Sequence, residues 1–197
     1  MIVCLEGIDA CGKTTQAERM AARLRARCIH FPDYETPSGR LIYRHLQDEW
    51  KDGDRLHEAL VLQSLMLTNR MEKAGFIHGC LWGGGDLVLA RYWPSGLVYG
   101  AADGLDYDWL VEIHRHLPQA NHYVLLDIVP DLSVERRPER RDRYERQAGL
   151  MEDVARRYRD VWVGMQKTHS SRWHVVDGHG PVEEVEAEIW HWMQKLT

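Results

Sequence analysis

Gly7-Ile8-Asp9-Ala10-Cys11-Gly12-Lys13-Thr14 has the form G-x-x-x-x-G-K-[ST], the pattern of a phosphate-binding loop. The apolar run Met1-Ile2-Val3-Cys4-Leu5 precedes it and has the character of a buried strand. A pattern rich in Ala, Arg and Leu follows and predicts a helix from Lys13 to about Arg27. Strand, glycine loop and helix is the context the motif requires. Gly7 and Gly12 let the backbone turn sharply and approach an anion closely. Successive N–H groups then point at one phosphate, at the positive end of a helix. Lys13 adds a mobile positive charge for the outer phosphates, and is expected as a surface charge over the loop. The Thr14 hydroxyl is suited to ligating a magnesium ion.

The remaining composition is that of an ordinary soluble protein. The chain has 197 residues, 44% of them hydrophobic, and a net charge of −5. That length predicts one domain, residues 1–197, with a sizeable core. No apolar run reaches membrane length and no signal peptide precedes the first strand, so a cytoplasmic protein is expected. Cys4, Cys11, Cys28 and Cys80 form no C-x-x-C pair and fit free thiols. The eleven histidines show no metal-binding spacing. His114 and His116 are expected as surface or helix-end residues. An acidic chain is also a poor general binder of nucleic acid.

Beyond the first helix, Cys28-Ile29-His30-Phe31 predicts a short strand stopped by Pro32. Thr36-Pro37-Ser38-Gly39 has turn chemistry, with a short helix after it from Arg40 to Leu46. Asp48 to Asp54 is a polar loop. Leu56 to Lys73 carries a long helical pattern, and Gly83-Gly84-Gly85 ends that region. Asp86 to Ala90 is a compact strand with Arg91-Tyr92 at its C-terminal end. Helices are expected from Pro94 to about Ala101 and from Asp106 to His116. His122 to Ile128 is a strand closed by Pro130, and Asp131 to Arg136 a short helix. A basic segment runs to Arg146, then a helix to about Lys167. Trp173 to Val176 is a last strand and Val182 to Lys195 a last helix. Strands alternating with helices predict an α/β fold in three layers, a parallel sheet covered on both faces. Trp50, Trp82, Trp162 and Trp190 are expected as helix-face or packing residues.

One set of residues, in order and spacing, resembles the thymidylate kinase family almost end to end. It begins with Leu5-Glu6-Gly7, Asp9 and Gly12-Lys13-Thr14-Thr15. It continues with Phe31-Pro32, Thr36, Gly39 and Thr68-Asn69-Arg70. Arg91-Tyr92, Ser95, Tyr99, Gly104-Leu105-Asp106 and Trp109-Leu110 follow. Arg136, Asp142-Arg143-Tyr144-Glu145 and Asp177-Gly178 end it. The resemblance implies a five-stranded P-loop kinase, a homodimer, acting in nucleotide biosynthesis. It would transfer the γ-phosphate of ATP, with Mg²⁺, to a deoxynucleoside monophosphate, above all from dTMP to dTDP.

The same resemblance implies the site. ATP would lie on Gly7, Ala10, Cys11, Gly12, Lys13, Thr14 and Thr15. Arg136 would stack on adenine, with backbone near Asp177 and Gly178 on its other side. For the acceptor, Asp9 is placed at the sugar 3′-hydroxyl, Arg70 at a base carbonyl, Arg91 at the monophosphate and Tyr144 near the base. Phe31, Tyr34, Met66, Ser95 and Tyr99 would line the same pocket. These residue types suit the task, since an Arg fork reads phosphate or carbonyl oxygens and a carboxylate accepts from a hydroxyl.

The chemistry itself needs no strong base, because the acceptor oxygen is already anionic. It needs alignment of two charged phosphates and neutralisation between them. Six arginines lie between Arg136 and Arg146, and a short basic lid over about 136–147 is a device for closing a kinase. The family's phosphate loop can carry an arginine where this chain has Ala10. By resemblance the lid then supplies it, with Arg140 and Arg141 as candidates beside Lys13 and Arg91.

Three departures from the family pattern stand out. Tyr34 replaces a common arginine. Met66 replaces a common aromatic ring, and is soft enough to admit a different base. Ala90 replaces the Asp of Asp-Arg-Tyr, which helps hold the metal's water shell. Glu6, at the end of the first strand, is expected to take over part of that metal role beside Thr14. Two alternatives stay open: a kinase of the same fold for a modified pyrimidine nucleotide or a modified-base hydroxyl, and a nucleotide-binding protein with little catalysis. A GTPase is disfavoured, since no N-K-x-D string occurs.

Overall fold

The structure, a computed structural model, describes residues 1–47, 54–137, 144 and 149–194. Its centre is the strand Ile2–Glu6 (β1), buried at every residue. An unbroken apolar run of this kind needs neighbours on both edges and cover on both faces. It has them. β1 pairs in parallel with Leu87–Ala90 (β3) on one side and His122–Asp127 (β4) on the other. Arg27–His30 (β2) and Trp173–Asp177 (β5) complete a five-stranded parallel sheet in the order β2-β3-β1-β4-β5. The register sets Leu5 beside Ala90 and Ala90 beside His30. The chain therefore leaves these three strands at one edge, where ligands of open parallel sheets gather. The Arg91 amide still bonds Leu5 O at 2.8 Å, and the Phe31 amide bonds Ala90 O at 2.9 Å.

The described helices are Lys13–Leu24 (α1), Pro37–Leu46 (α2), Arg55–Gly83 (α3), Trp93–Ala102 (α4), Tyr107–His114 (α5), Pro130–Arg136 (α6), Leu150–His169 (α7) and Val182–Gln194 (α8). α1 packs on β1, β2 and β3 and against α8, while α7 packs on β4 and β5 and against α4. α4 also meets α3 and α5, so Trp93 through Ala101 are all buried. An aromatic block closes the β4–β5 side. Tyr123 stacks on Trp173 with ring centres 4.2 Å apart, and Trp93 and Trp162 meet Trp173 edge-on.

Element types agree with the sequence pattern, and the differences lie at the ends. α1 stops at Leu24 because Arg25 turns into the left-handed region, φ 53°, and β2 takes Arg27. The Thr36–Gly39 segment is the first turn of α2 rather than a separate turn. Thr36 caps it by accepting from the Gly39 amide at 3.1 Å, and Pro37 sits at the first helical position. α3 begins under an Asp54 cap and runs ten residues past Lys73. Gly75 and Gly79 break the helical pattern in the sequence, but the fully buried Ile77 anchors that stretch to the core. Of the tryptophans expected on helix faces or in packing, Trp82 stands on the exposed face of α3, 85% exposed, whereas Trp162 is a fully buried packing residue. Trp50 and Lys195 lie outside the described residues. None of the four cysteines is bridged, and among the described residues no helix is long and apolar enough to cross a membrane.

Candidate active site

The phosphate loop takes the shape its glycines permit. Gly7 has φ 143°, and a Cβ there would lie 2.6 Å from Leu126 O and 2.7 Å from Cys11 Sγ. Gly12, φ 97°, caps α1. Ala10 adopts φ 55° without being glycine. Ser133 on α6 holds the loop from outside, its hydroxyl donating to Asp9 O at 2.7 Å. Lys13 corrects the sequence expectation of a surface charge: it is only 7% exposed. Its Nζ folds back over the loop, donating to Ile8 O at 3.0 Å and lying 3.4 Å from Asp9 Oδ1. Thr14 and Thr15 are exposed.

Beside the loop, Arg91 leaves the tip of β3 in the left-handed region, φ 65°. Its Nη2 donates to Asp9 Oδ1 at 2.6 Å and to the Tyr99 hydroxyl at 3.2 Å. Its Nη1 donates to Ser95 Oγ at 3.2 Å and Tyr158 OH at 3.1 Å. Burial opposes ionisation of Asp9, yet the Arg91 guanidinium and the Lys13 ammonium outweigh it. They hold the carboxyl well below the usual carboxylate range. Arg91 is likewise opposed by burial but is kept fully charged by Tyr99 and Asp9.

Glu6 is not where the sequence reading put it. It is fully buried and does not line the cavity. Oε1 accepts from the Tyr92 amide at 2.7 Å, and Oε2 accepts from Ser95 Oγ at 2.6 Å and Tyr158 OH at 3.0 Å. Its carboxylate is thus committed to the start of α4 and to Tyr158, which in turn meet Arg91. The expected metal role for Glu6 gives way to a scaffold role, because no oxygen is left facing outward. Tyr158 sits in the middle of α7, and no motif or spacing singles it out.

A second wall of the same space comes from α3 and α4. Arg70 is 3% exposed, and its Nη1 donates to His114 Nε2 at 3.1 Å. Gln63 and the half-buried Met66 line the cavity from the same helix. Phe31 is buried, with its ring 5.4 Å from that of Tyr92. Tyr34 is more exposed and leans edge-on against Tyr43. The Tyr144 hydroxyl donates to Asp103 at 2.5 Å, and its ring meets Tyr99 edge-on at 4.9 Å. His114 ends α5, as a helix-end histidine should, but it is buried rather than at the surface, only 2% exposed. Sequence spacing cannot find it, because only the packing of α5 against α4 carries it to Arg70.

On the other side of the loop, Arg136 at the end of α6 donates through Nη2 to Gly178 O at 2.9 Å and His179 O at 3.3 Å. A Cβ at Gly178 would lie 2.7 Å from Ile128. Gly178 lines the cavity, but Asp177 does not: its carboxylate turns to the amide and ring of His179. Gln16, Pro181 and Val182 complete that wall, with Gln16 Nε2 donating to Val182 O at 2.8 Å.

These walls enclose one cavity of about 750 Å³. It brings together Asp9, Ala10, Cys11, Gly12, Lys13, Thr14, Thr15, Phe31, Tyr34, Met66, Arg70, Arg91, Ser95, Tyr99, Arg136, Tyr144 and Gly178 of the expected site. It leaves out Glu6, Gly7 and Asp177. Arg140 and Arg141 lie outside the described residues. Ala90, 3% exposed, presents only a methyl group.

Among the described residues no three His, Cys, Asp or Glu side chains converge to hold a metal. Beside the loop the hard donors are the Thr14 hydroxyl and the Asp9 carboxylate, and Arg91 and Lys13 take up the latter. This set fits a magnesium ion that draws most of its oxygens from phosphates and water. It does not fit an ion held by protein alone.

Comparison with known proteins agrees with this geometry. The fold superposes on the structure of a thymidylate kinase from Candida albicans with a TM-score of 0.85. That match is at 24% identity and covers 98% of this chain and 91% of the other. The sequence is 29% identical to the human thymidylate kinase, over 95% of this chain and 87% of that protein. It is 30% identical to the thymidylate kinase of Arabidopsis thaliana, over 95% of this chain and 68% of that protein. A family model described as thymidylate kinase matches residues 5–189, nearly the whole length over which the loop, the Arg91 cluster and the Arg136 wall are spread, and the chain belongs to the thymidylate kinase family.

Proposed function

We propose that this protein transfers the γ-phosphate of ATP to thymidine monophosphate, giving ADP and thymidine diphosphate. The observation that carries the reading is the continuous cavity joining the phosphate loop to the Asp9–Arg91 pair and the Arg70 wall. An oxygen of the acceptor phosphate forms the new bond to the γ-phosphorus while the bond to the β,γ-bridging oxygen breaks. No proton has to be removed from the nucleophile. The work is alignment and charge neutralisation. Lys13 is suited to the donor phosphates, Arg91 to the acceptor phosphate, Arg70 and Met66 to the base, and Arg136 with Gly178 to adenine. Mg²⁺ brought with ATP would neutralise phosphate charge, with the Thr14 hydroxyl as its protein ligand. Arg140 and Arg141 are proposed to add the charge that Ala10 does not.

The same reading makes the chain one cytoplasmic domain that acts as a homodimer. Leu60, Met71 and Trp82 stand exposed on one face of α3, an apolar stripe that a second copy would cover. Ala90 favours one alternative, a modified pyrimidine monophosphate or a modified-base hydroxyl as acceptor, since the methyl leaves space where a carboxylate is common in the family. A panel of nucleoside monophosphates assayed with Mg-ATP for ADP release tests the reading. Thymidine monophosphate should give the highest kcat/KM. Turnover confined to another acceptor favours the alternative, and ATP binding without turnover of any acceptor leaves a nucleotide-binding protein.

A further inference from the structure

Arg70 is a buried cation held by a neutral partner. A guanidinium has only donors, so His114 Nε2 must accept from it, and the ring proton must sit on Nδ1. Leu110 O lies 2.7 Å from Nδ1 and accepts that proton. Burial and the Arg70 charge push His114 down to about 3, so the ring stays neutral under working conditions. Burial also brings Arg70 down to about 10, which leaves it charged. Among the described residues no carboxylate hydrogen-bonds Arg70, although the charge of Glu6 favours the guanidinium through space, and its Nε has no hydrogen-bond partner. Gly96 completes the arrangement from α4. A Cβ there would lie 2.6 Å from His114 Cε1 and Nε2 and 3.1 Å from Arg70 Nη1. The space beside the pair exists because position 96 carries no side chain.

We infer that His114, seated on the bare backbone of Gly96, is the positioning residue that presents Arg70 to the acceptor base and makes the site select an oxo pyrimidine over an amino pyrimidine. The inference rests on the thymidine monophosphate reading above. A neutral acceptor fixes the guanidinium in place without neutralising it. Its remaining N–H groups at the cavity wall then demand an acceptor from the ligand. Thymine and uracil offer a carbonyl oxygen at C4, whereas cytosine offers an amino donor there. A buried donor facing another donor is left unpaired, and such mismatches discriminate strongly.

The test compares His114→Leu, which fills the space without accepting, with His114→Gln, which restores an amide acceptor, and with Gly96→Ala. KM for thymidine and deoxycytidine monophosphates, KM for ATP, kcat and the melting temperature are measured for each. His114→Leu and Gly96→Ala should raise KM for thymidine monophosphate about tenfold and lower the preference over deoxycytidine monophosphate. KM for ATP should not move. His114→Gln should recover most of the loss. A parental acceptor KM in His114→Leu overturns the assignment, as does an equal loss in the Leu and Gln variants. A drop in melting temperature with unchanged base preference also overturns it, in favour of a packing role. Should His114→Leu fail to fold, Gly96→Ala and His114→Gln decide by the same KM comparison. If the unaltered protein ignores thymidine monophosphate, the function reading falls first; if it turns that acceptor over well and the variants match it, only the role of His114 falls.

Discussion

The Arg91 guanidinium meets the Asp9 carboxylate at 2.6 Å, tying the tip of β3 to the phosphate loop. Lys13 approaches the same carboxylate at 3.4 Å. Two cations that the phosphate chemistry needs are therefore held by one acid. The acid keeps them in place without ligand and offers them to phosphates, which compete for the same N–H groups.

Asp9 should therefore stabilise the fold in a pH-dependent way. Its folded pKa lies below its unfolded one, because Arg91 and Lys13 outweigh burial. In that window the unfolded state binds more protons, so stability rises with pH. The contribution is complete above the unfolded value, about 4, and is lost as pH falls through the folded value. Asp9→Asn should cost about 1–3 kcal/mol at neutral pH. It should also flatten the decline in melting temperature on acidification below about pH 4. A variant melting in parallel with the parent across that range would show that the ion pair does not set acid stability.

Lys13→Met should abolish most transfer, with kcat down at least about a hundredfold, the scale of losing one aligned charge at developing phosphate charge. Because Lys13 is buried, the replacement keeps an unbranched apolar stem, and the melting temperature should fall only by the loss of the contacts to Ile8 O and Asp9 while the fold is kept. Turnover within a few fold of normal would sink the role of the loop lysine.

How far the sequence could be read depended on whether a feature was local. The phosphate loop, the alternation of strands and helices and the placement of Arg91 at a strand end follow from runs of adjacent residues, whereas the strand order does not. The ends of elements were less legible, because Gly75 and Gly79 look like breakers until Ile77 is seen to be buried. Glu6 was misread for a physical reason. A carboxylate at a strand end beside the loop resembles a metal ligand, and only tertiary structure brings Ser95 and Tyr158 to both of its sides. Tyr158 was invisible, and so was the contact of His114 with Arg70, since each reaches the site from a helix far away in sequence. The buried state of Lys13 was equally hidden, because the loop's own carbonyl at Ile8 folds the side chain inward.

Met66 gives a prediction about base choice. It lines the cavity one helical turn before Arg70, where a flexible thioether tolerates several bases. Met66→Phe should tighten thymidine monophosphate by about 0.5–1.5 kcal/mol through stacking, and should narrow the range of accepted monophosphates. Measured KM values across the monophosphate panel check this. Improvement of a purine monophosphate instead would show that the base lies elsewhere.

Ala90 decides between the two enzyme readings. The residue ends β3 in register with Leu5 and His30 and faces the cavity with a methyl group. A carboxylate there could accept from metal-bound waters. Glu6 cannot substitute, because both of its oxygens are bonded inside the scaffold. Ala90→Asp should then raise kcat or lower the Mg²⁺ concentration needed for half-maximal rate, by about ten- to a hundredfold if the new group acts as an outer-shell partner of the ion. Glu6→Gln should behave differently. It disturbs Ser95, Tyr158 and through them Arg91, so it should raise KM for the acceptor and leave the Mg²⁺ dependence alone, in the Ala90 background and with Asp installed. A Mg²⁺ titration of kcat in the two single variants and the double variant separates these effects. If Ala90→Asp slows every acceptor tested, the methyl group is an adaptation to a bulkier or modified substrate. The common carboxylate would then be blocking the very space that substrate uses.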